Sequence, residues 1–214
     1  MEEKRMARPK NPPEKVERMQ NMMMDAAIEL LDEVPPEKVS IRMIAEKIGM
    51  SHMVFYTYFN NRAEFMEALV ERQSNQIEKH FDGLIEKAKQ RSVKDVLIEF
   101  VDAYMRSAKD HPKIFYLVWI SESAAEKGSP KSIKHLEPLF YKLADLLKFG
   151  MEKGEFHQRN PLTAAVTVLS SLNAPILMDI CNKIPSGVDC EELFAEIKQE
   201  VLTYISSWIF SWLL

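Results

Sequence analysis

The stretch SIRMIAEKIGMSHMVFYTYFNNRAEF, Ser40 to Phe65, decides the fold. It holds two short apolar-periodic segments pinned about one glycine, then a cluster of aromatics. Ser40 is a good N-cap, after which Ile41, Ile44, Ala45 and Ile48 share one helical face. Gly49 stands where a left-handed residue stops a helix. Ser51 can cap a further helix over roughly His52 to Tyr58. Two such short helices joined by a tight, glycine-containing connection have the dimensions of a helix-turn-helix, here at 40–59. Ala45 is small where the helices would cross, and Ile44, Ile48, Met50, Phe55 and Phe59 supply a shared core. With Phe55 and Phe59 facing inward, helical spacing turns His52, Met53, Tyr56 and Thr57 outward. Short helices of this kind hold one helix proud of the body, where it fits a major groove about 12 Å wide. An exposed Tyr56 can hydrogen-bond a phosphate or lay its ring on a thymine methyl.

Working outward, the rest of the chain reads as helices. Residues 1–13 are charged and proline-rich without periodicity, as in a disordered tail. Its Lys4, Arg5, Arg8 and Lys10 could equally form a minor-groove arm or a solvated end. From Glu14 apolar residues recur at helical spacing until Pro35-Pro36. Asn60 or Asn61 opens a long fourth helix, with Gly83 a weak spot. SVKD, Ser92 to Asp95, resembles a capping box and opens another. Pro112 starts the apolar helix KIFYLVWI, which should sit centrally in its domain. A helix from Pro130 to Met151 follows, with a kink expected at Pro138. Asn160-Pro161 starts a helix through Asn182, with a kink expected at Pro175, and Asp189 to Leu214 forms the last. The expectation is an all-α chain of about nine helices, with a DNA-binding domain over 14–77 and a larger helical domain over 78–214.

The order AAIELL, S-x-R-x-IAEKIGMS and FYTYFNNRAEF resembles the TetR family of transcriptional repressors over residues 17–77. The resemblance implies that Arg42 reaches a base edge and that His52, Met53 and Thr57 face bases. It places Tyr56 at a phosphate-contacting tyrosine and Arg62 at a phosphate-binding position opening the fourth helix. Ser40, Ser51 and Tyr58 complete the expected DNA-binding set. Val54 departs from a usual threonine or serine, Met53 from a usual small residue, Tyr58 from a frequent histidine, and Pro35-Pro36 from a usual Gly-aromatic pair. The expected partner is a pseudo-palindromic double-stranded operator. The resemblance also implies a small-molecule pocket in the second domain, with Tyr104, Phe115, Tyr116, Trp119, Phe140 and Asn173 as candidates for a small hydrophobic effector. A packed core with satisfied polar edges is the plainer reading of the same residues.

Charge gives a warning about DNA. The chain carries a net charge of −4, and residues 1–62 hold 10 basic and 10 acidic side chains. A DNA-binding surface must therefore come from local placement of charge. No enzyme is expected, and no cofactor or metal. The five histidines lack HxxxH or HExxH spacing, and no GxSxG, P-loop or dinucleotide fingerprint occurs. Cys181 and Cys190 read as reduced, buried thiols of a cytoplasmic protein, with a redox pair as the alternative. The terminal VLTYISSWIFSWLL is too short to span a bilayer, so no membrane partner is expected. Its stripe of Phe194, Ile197, Val201, Tyr204, Trp208 and Trp212 is wide enough to suggest a homodimer interface, in which helices 161–182 and 189–214 of each chain would pack as four. The alternative class of function is a helical module that binds protein and not DNA.

Overall fold

The computed structural model describes residues 12–35, 38–120 and 136–206. Most of the expected tail at 1–13, as well as Trp208 and Trp212, lies outside the described residues. The described residues form ten helices and no strand: α1 (Pro13–Glu33), α2 (Ile41–Lys47), α3 (His52–Phe55), α4 (Arg62–Phe81), α5 (Leu84–Gln90), α6 (Val93–Asp110), α7 (Pro112–Trp119), α8 (Glu137–Glu152), α9 (Pro161–Ile180) and α10 (Cys190–Ser206). The helix expected beyond Asn61 is two, because the chain breaks at Asp82-Gly83, where Gly83 becomes the N-cap of α5. The chain divides into two compact units, 1–69 and 70–214, the division falling inside α4.

In the first unit α2 packs between α1 and α3. Each element is closed by its own sequence. Ser40 Oγ accepts from the Met43 amide at 3.2 Å, and Ser51 Oγ from the Met53 amide at 3.4 Å. Gly49 has φ +71°, the Met50 amide donates to Ala45 O at 2.8 Å, and the Gly49 amide to Glu46 O at 3.1 Å. That pair of bonds is the Schellman closure of α2, and it needs a left-handed residue at Gly49. α3 ends at Phe55, shorter than the expected run to Tyr58. Beyond it the Thr57 and Tyr58 amides bond three residues back, to Val54 and Phe55, so the helix tightens into turns. Asn61 Oδ1 caps the Glu64 amide at 2.9 Å, while Glu64 Oε2 accepts from the Asn60 amide at 2.8 Å. This reciprocal cap starts α4.

The core of the first unit is aromatic. Phe55, Phe59 and Phe65 are all buried, with ring centroids 5.1–5.5 Å apart. Ile44, Ala45, Leu30, Leu31 and Met23 are buried as well.

In the second unit α9 makes its main contacts with α8 and α10, and α6 packs against α5, α7, α8 and α9. Ser92 Oγ caps the Asp95 amide at 3.4 Å, but the second half of the expected box comes from elsewhere. Glu155 Oε2 accepts from the Ser92 hydroxyl at 2.8 Å and the Lys94 amide at 3.2 Å. Burial pushes the Glu155 carboxyl up, but these hydrogen bonds and nearby Lys153 bring it below its ordinary range. Asn160 Oδ1 caps α9 through the Thr163 amide at 2.9 Å, and left-handed Asn182 follows its end. Neither cysteine is buried as expected: Cys181 is exposed and Cys190 half-buried. Pro138 lies in the first turn of α8, so it opens this helix and does not kink it. Pro175 lies inside α9, which continues to Ile180. α7 is buried only through Phe115, Leu117 and Val118, and is thus less enclosed than its composition suggests.

α9 is long and apolar enough to cross a membrane by length and composition alone. Ala164, Ala165, Val168, Leu169, Leu172 and Ile176 are nevertheless packed into the core of the unit, as in the central helix of a bundle. Close packing also explains Gly150 on α8. A Cβ there would lie 2.2 Å from Cδ2 of the buried Phe156 ring. Gly150→Ala is therefore expected to destabilise the unit by about 1–3 kcal/mol despite its better helix propensity, as read by urea unfolding of the full chain. A more stable variant would mean the ring can move aside.

Candidate functional site

The outward face of the helix-turn-helix is built as the apolar spacing requires. Phe55 is buried against Phe59 and Phe65, which fixes the rotation of α3. His52, Met53, Tyr56 and Thr57 are then exposed together, and Val54 and Tyr58 are half-buried. The Tyr56 ring stands edge-on to Phe55 at 5.7 Å, so a buried ring steadies the exposed one. Tyr58 contributes its carbonyl to the frame by accepting from Gln20 Nε2 at 3.2 Å. Ser40 and Ser51 are occupied as caps.

Arg42 projects from α2 into solvent, with its Nε donating to Glu46 Oε1 at 2.7 Å. A pair this exposed contributes little to stability, but it holds the guanidinium along the helix. Arg62 is also on the surface, and its Nε donates to the Val39 carbonyl at 3.1 Å. Lys47 is held by α1, its Nζ lying 3.2 Å from Glu29 and 3.1 Å from Glu33. Pairing therefore sets the local charge: Lys47 is paired with Glu29 and Glu33 of α1, and Arg42 with Glu46 of its own helix.

In the second unit five of the six candidate ligand residues come together. Tyr104, on α6, is buried and donates to Asn173 Oδ1, on α9, at 2.5 Å. Burial raises its phenol well above the usual value, so Tyr104 stays protonated and acts as a donor. Its ring lies 5.6 Å from Phe115 and 6.5 Å from Trp119, and Trp119 lies 6.1 Å from Phe140. Trp119 Nε1 is buried and meets no hydrogen-bond acceptor among the described residues. Tyr116 is half-buried on the same helix. Two further buried polar side chains, Gln73 and Ser74 on α4, have side-chain donors without acceptors among the described residues. Neither stood out in the sequence, since Gln73-Ser74 looks like ordinary helix surface.

The Tyr104–Asn173 bond is also a structural element, and its role can be separated from ligand binding. Tyr104→Phe should cost about 1–3 kcal/mol by stranding the Asn173 amide oxygen. Pairing it with Asn173→Leu should recover much of that loss in thermal unfolding. No recovery would show that the two side chains are not coupled as described.

Four of the six residues expected at a dimer seam, Phe194, Ile197, Val201 and Tyr204, lie among the described residues. Val201 is in the core of the unit, and Phe194, Ile197 and Tyr204 pack on that core from α10. The Arg159 guanidinium sits over the Tyr204 ring at 4.2 Å. Outward, α10 shows Glu192, Glu196 and Glu200. The exposed apolar face belongs to α9, where Leu162, Val166, Ser170, Ala174 and Met178 follow at intervals of four.

Residues 23–69 match the sequence model of the bacterial regulatory proteins, tetR family. Over that stretch the chain is similar to the TetR-family regulators. The match spans α2, α3 and the buried phenylalanines. No curated protein matches the chain in sequence. Among solved structures, the fatty acid degradation regulator FadR from Bacillus halodurans is 21% identical with TM-score 0.69, over 90% of this chain and 96% of that one. FadR from Bacillus subtilis, in complex with stearoyl-CoA, is 16% identical with TM-score 0.69, over 88% and 99%. RolR in complex with resorcinol is 18% identical with TM-score 0.63, over 92% of each chain. At these identities the likeness shows the fold alone, over 88–92% of this chain. Sequence reasoning missed two features of this TetR-type head, the Glu46 partner of Arg42 and the Gln20 tie to Tyr58. Glu46 was visible as an i, i+4 pair; Gln20 lies 38 residues from Tyr58 and left no local signal.

Proposed function

We propose that this regulator is a homodimeric repressor that leaves its operator on binding a small apolar or aromatic effector. The observation that carries the DNA-binding part is the joint exposure of His52, Met53, Tyr56 and Thr57 on α3, with Arg42 beside them in sequence on α2. Arg42 is the base-reading cation, suited to guanine, and Arg62 and Tyr56 are phosphate contacts. For dimerisation, the support is the uncharged α9 face from Leu162 to Met178. Ser170 and Ala174 at its centre allow close approach of a second copy of the same helix. Two heads related by a two-fold axis fit half-sites about one helical turn apart, roughly 10 bp.

For the effector, the support is the Tyr104, Phe115, Trp119 and Phe140 rings around the Tyr104–Asn173 pair. Stearoyl-CoA and resorcinol differ widely in shape, so the fold leaves the choice to side chains. Here the rings favour apolar or aromatic surface, and the unpartnered Trp119 N–H favours an acceptor atom on the ligand. The effector releases DNA by binding the non-binding state more tightly; a 100-fold preference corresponds to about 2.7 kcal/mol.

Gel-shift titration with genomic fragments tests the assignment of roles. Arg42→Ala is expected to cost about 1–3 kcal/mol on the cognate site and to relax preference at one base pair. Arg62→Ala should weaken cognate and random DNA alike and lower the salt slope by about one unit. Identical behaviour of the two variants would contradict the assignment.

A further inference from the structure

We infer that Met53 is a specificity-determining residue that reads the 5-methyl group of a thymine; this rests on the DNA-binding reading above. At 63% relative exposure, Met53 is the most exposed of the large apolar side chains among the described residues. Its position is fixed, not incidental. The Met53 amide is capped by Ser51 Oγ, and Phe55, two residues on, is only 1% exposed. The burial of Phe55 leaves the α3 helix one rotation, in which Met53 and Tyr56, three apart, stand on the outer face. A single exposed apolar residue is normal on a protein surface. Here it stands in the first turn of the helix expected to meet base edges.

The chemistry narrows what such a side chain can read. A thioether has no donor and is a weak acceptor, so it gains little from the amino, carbonyl and ring-nitrogen edges of the major groove. The apolar group a standard base pair presents there is the thymine methyl. Methionine is unbranched and polarisable, so it can follow that methyl while Arg42, His52 and Thr57 make the polar contacts. Cytosine at the same position presents a bare C5–H and an amino donor, and is disfavoured. The preference at this base step is for thymine over uracil as well, since those two differ only by the methyl.

The test starts from duplexes enriched by the full-length protein from a random-sequence library. Each thymine of the enriched site is replaced in turn, symmetrically in both half-sites, by deoxyuridine, and affinities are read by fluorescence anisotropy. One symmetric replacement should weaken the wild-type protein by about fourfold per half-site, the worth of one buried methyl. Met53→Ala should bind the thymine site more weakly and lose all distinction between thymine and uracil there. The inference is overturned if no uracil replacement matters, if the penalty persists in Met53→Ala, or if the enriched site has no thymine. Failure to enrich any sequence would instead remove the DNA-binding reading, and this inference with it.

Discussion

Phe65→Ala is expected to destabilise the first unit by about 3–5 kcal/mol, a large share of a typical domain's stability of roughly 5–15 kcal/mol. Phe65 is fully buried, between Phe55 at 5.3 Å and Phe59 at 5.1 Å. Removing its ring leaves both partners facing a void, and those two rings set the rotation of α3. The loss should be local. All three tryptophans, at 119, 208 and 212, lie in residues 70–214, so their emission reports the second unit. Amide hydrogen exchange on the full-length variant should show lost protection over residues 40–66, with the tryptophan-monitored transition little changed. Retained protection would mean that the aromatic triad is not what holds the reading helix.

The second large effect is expected on α9. Val166→Glu places a carboxylate in the middle of the exposed uncharged face, and Val166 is 44% exposed, so the unit itself should fold normally. If two copies meet there, the variant should sediment as a monomer at micromolar concentration. It should then lose the gain from engaging two half-sites at once, of the order of 10²–10⁴ in operator affinity. Phe194→Glu serves as the contrast, because Phe194 packs on the core of its own unit and should instead lower stability. A Val166→Glu dimer of unchanged affinity would contradict the α9 assignment.

These two cases show how far the sequence is legible. In the first unit each signal is local and several agree. Ser40, Gly49, Ser51 and Asn61 sit at element ends where their own chemistry is decisive. The spacing of Phe55 and Phe59 then leaves few choices for what faces out. α3 was shorter than its periodicity suggested, because helical spacing does not separate α-helix from the tighter turns after Phe55. In the second unit the decisive partners are remote. Glu155 completes the cap at Ser92 across 63 residues, and Tyr104 meets Asn173 across 69. The apolar stripe of α10 reads as wide because a sequence does not show that Phe194, Ile197 and Tyr204 also pack on the core of their own unit. The helix over 161–182 was expected at the dimer interface too, but which of its sides is exposed was hidden, because it is apolar on nearly all sides.

The central claim is that α2 and α3 present a sequence-reading surface, despite a net charge of −4 for the chain. Its most direct test is the ratio of affinities for the enriched operator and a scrambled duplex of equal length, measured by anisotropy across salt concentrations. Discrimination carried by base-edge contacts should depend little on salt. The account predicts a ratio of at least about 10³ at physiological salt, nearly preserved as salt rises while both affinities fall. A ratio near one at every salt concentration would contradict it.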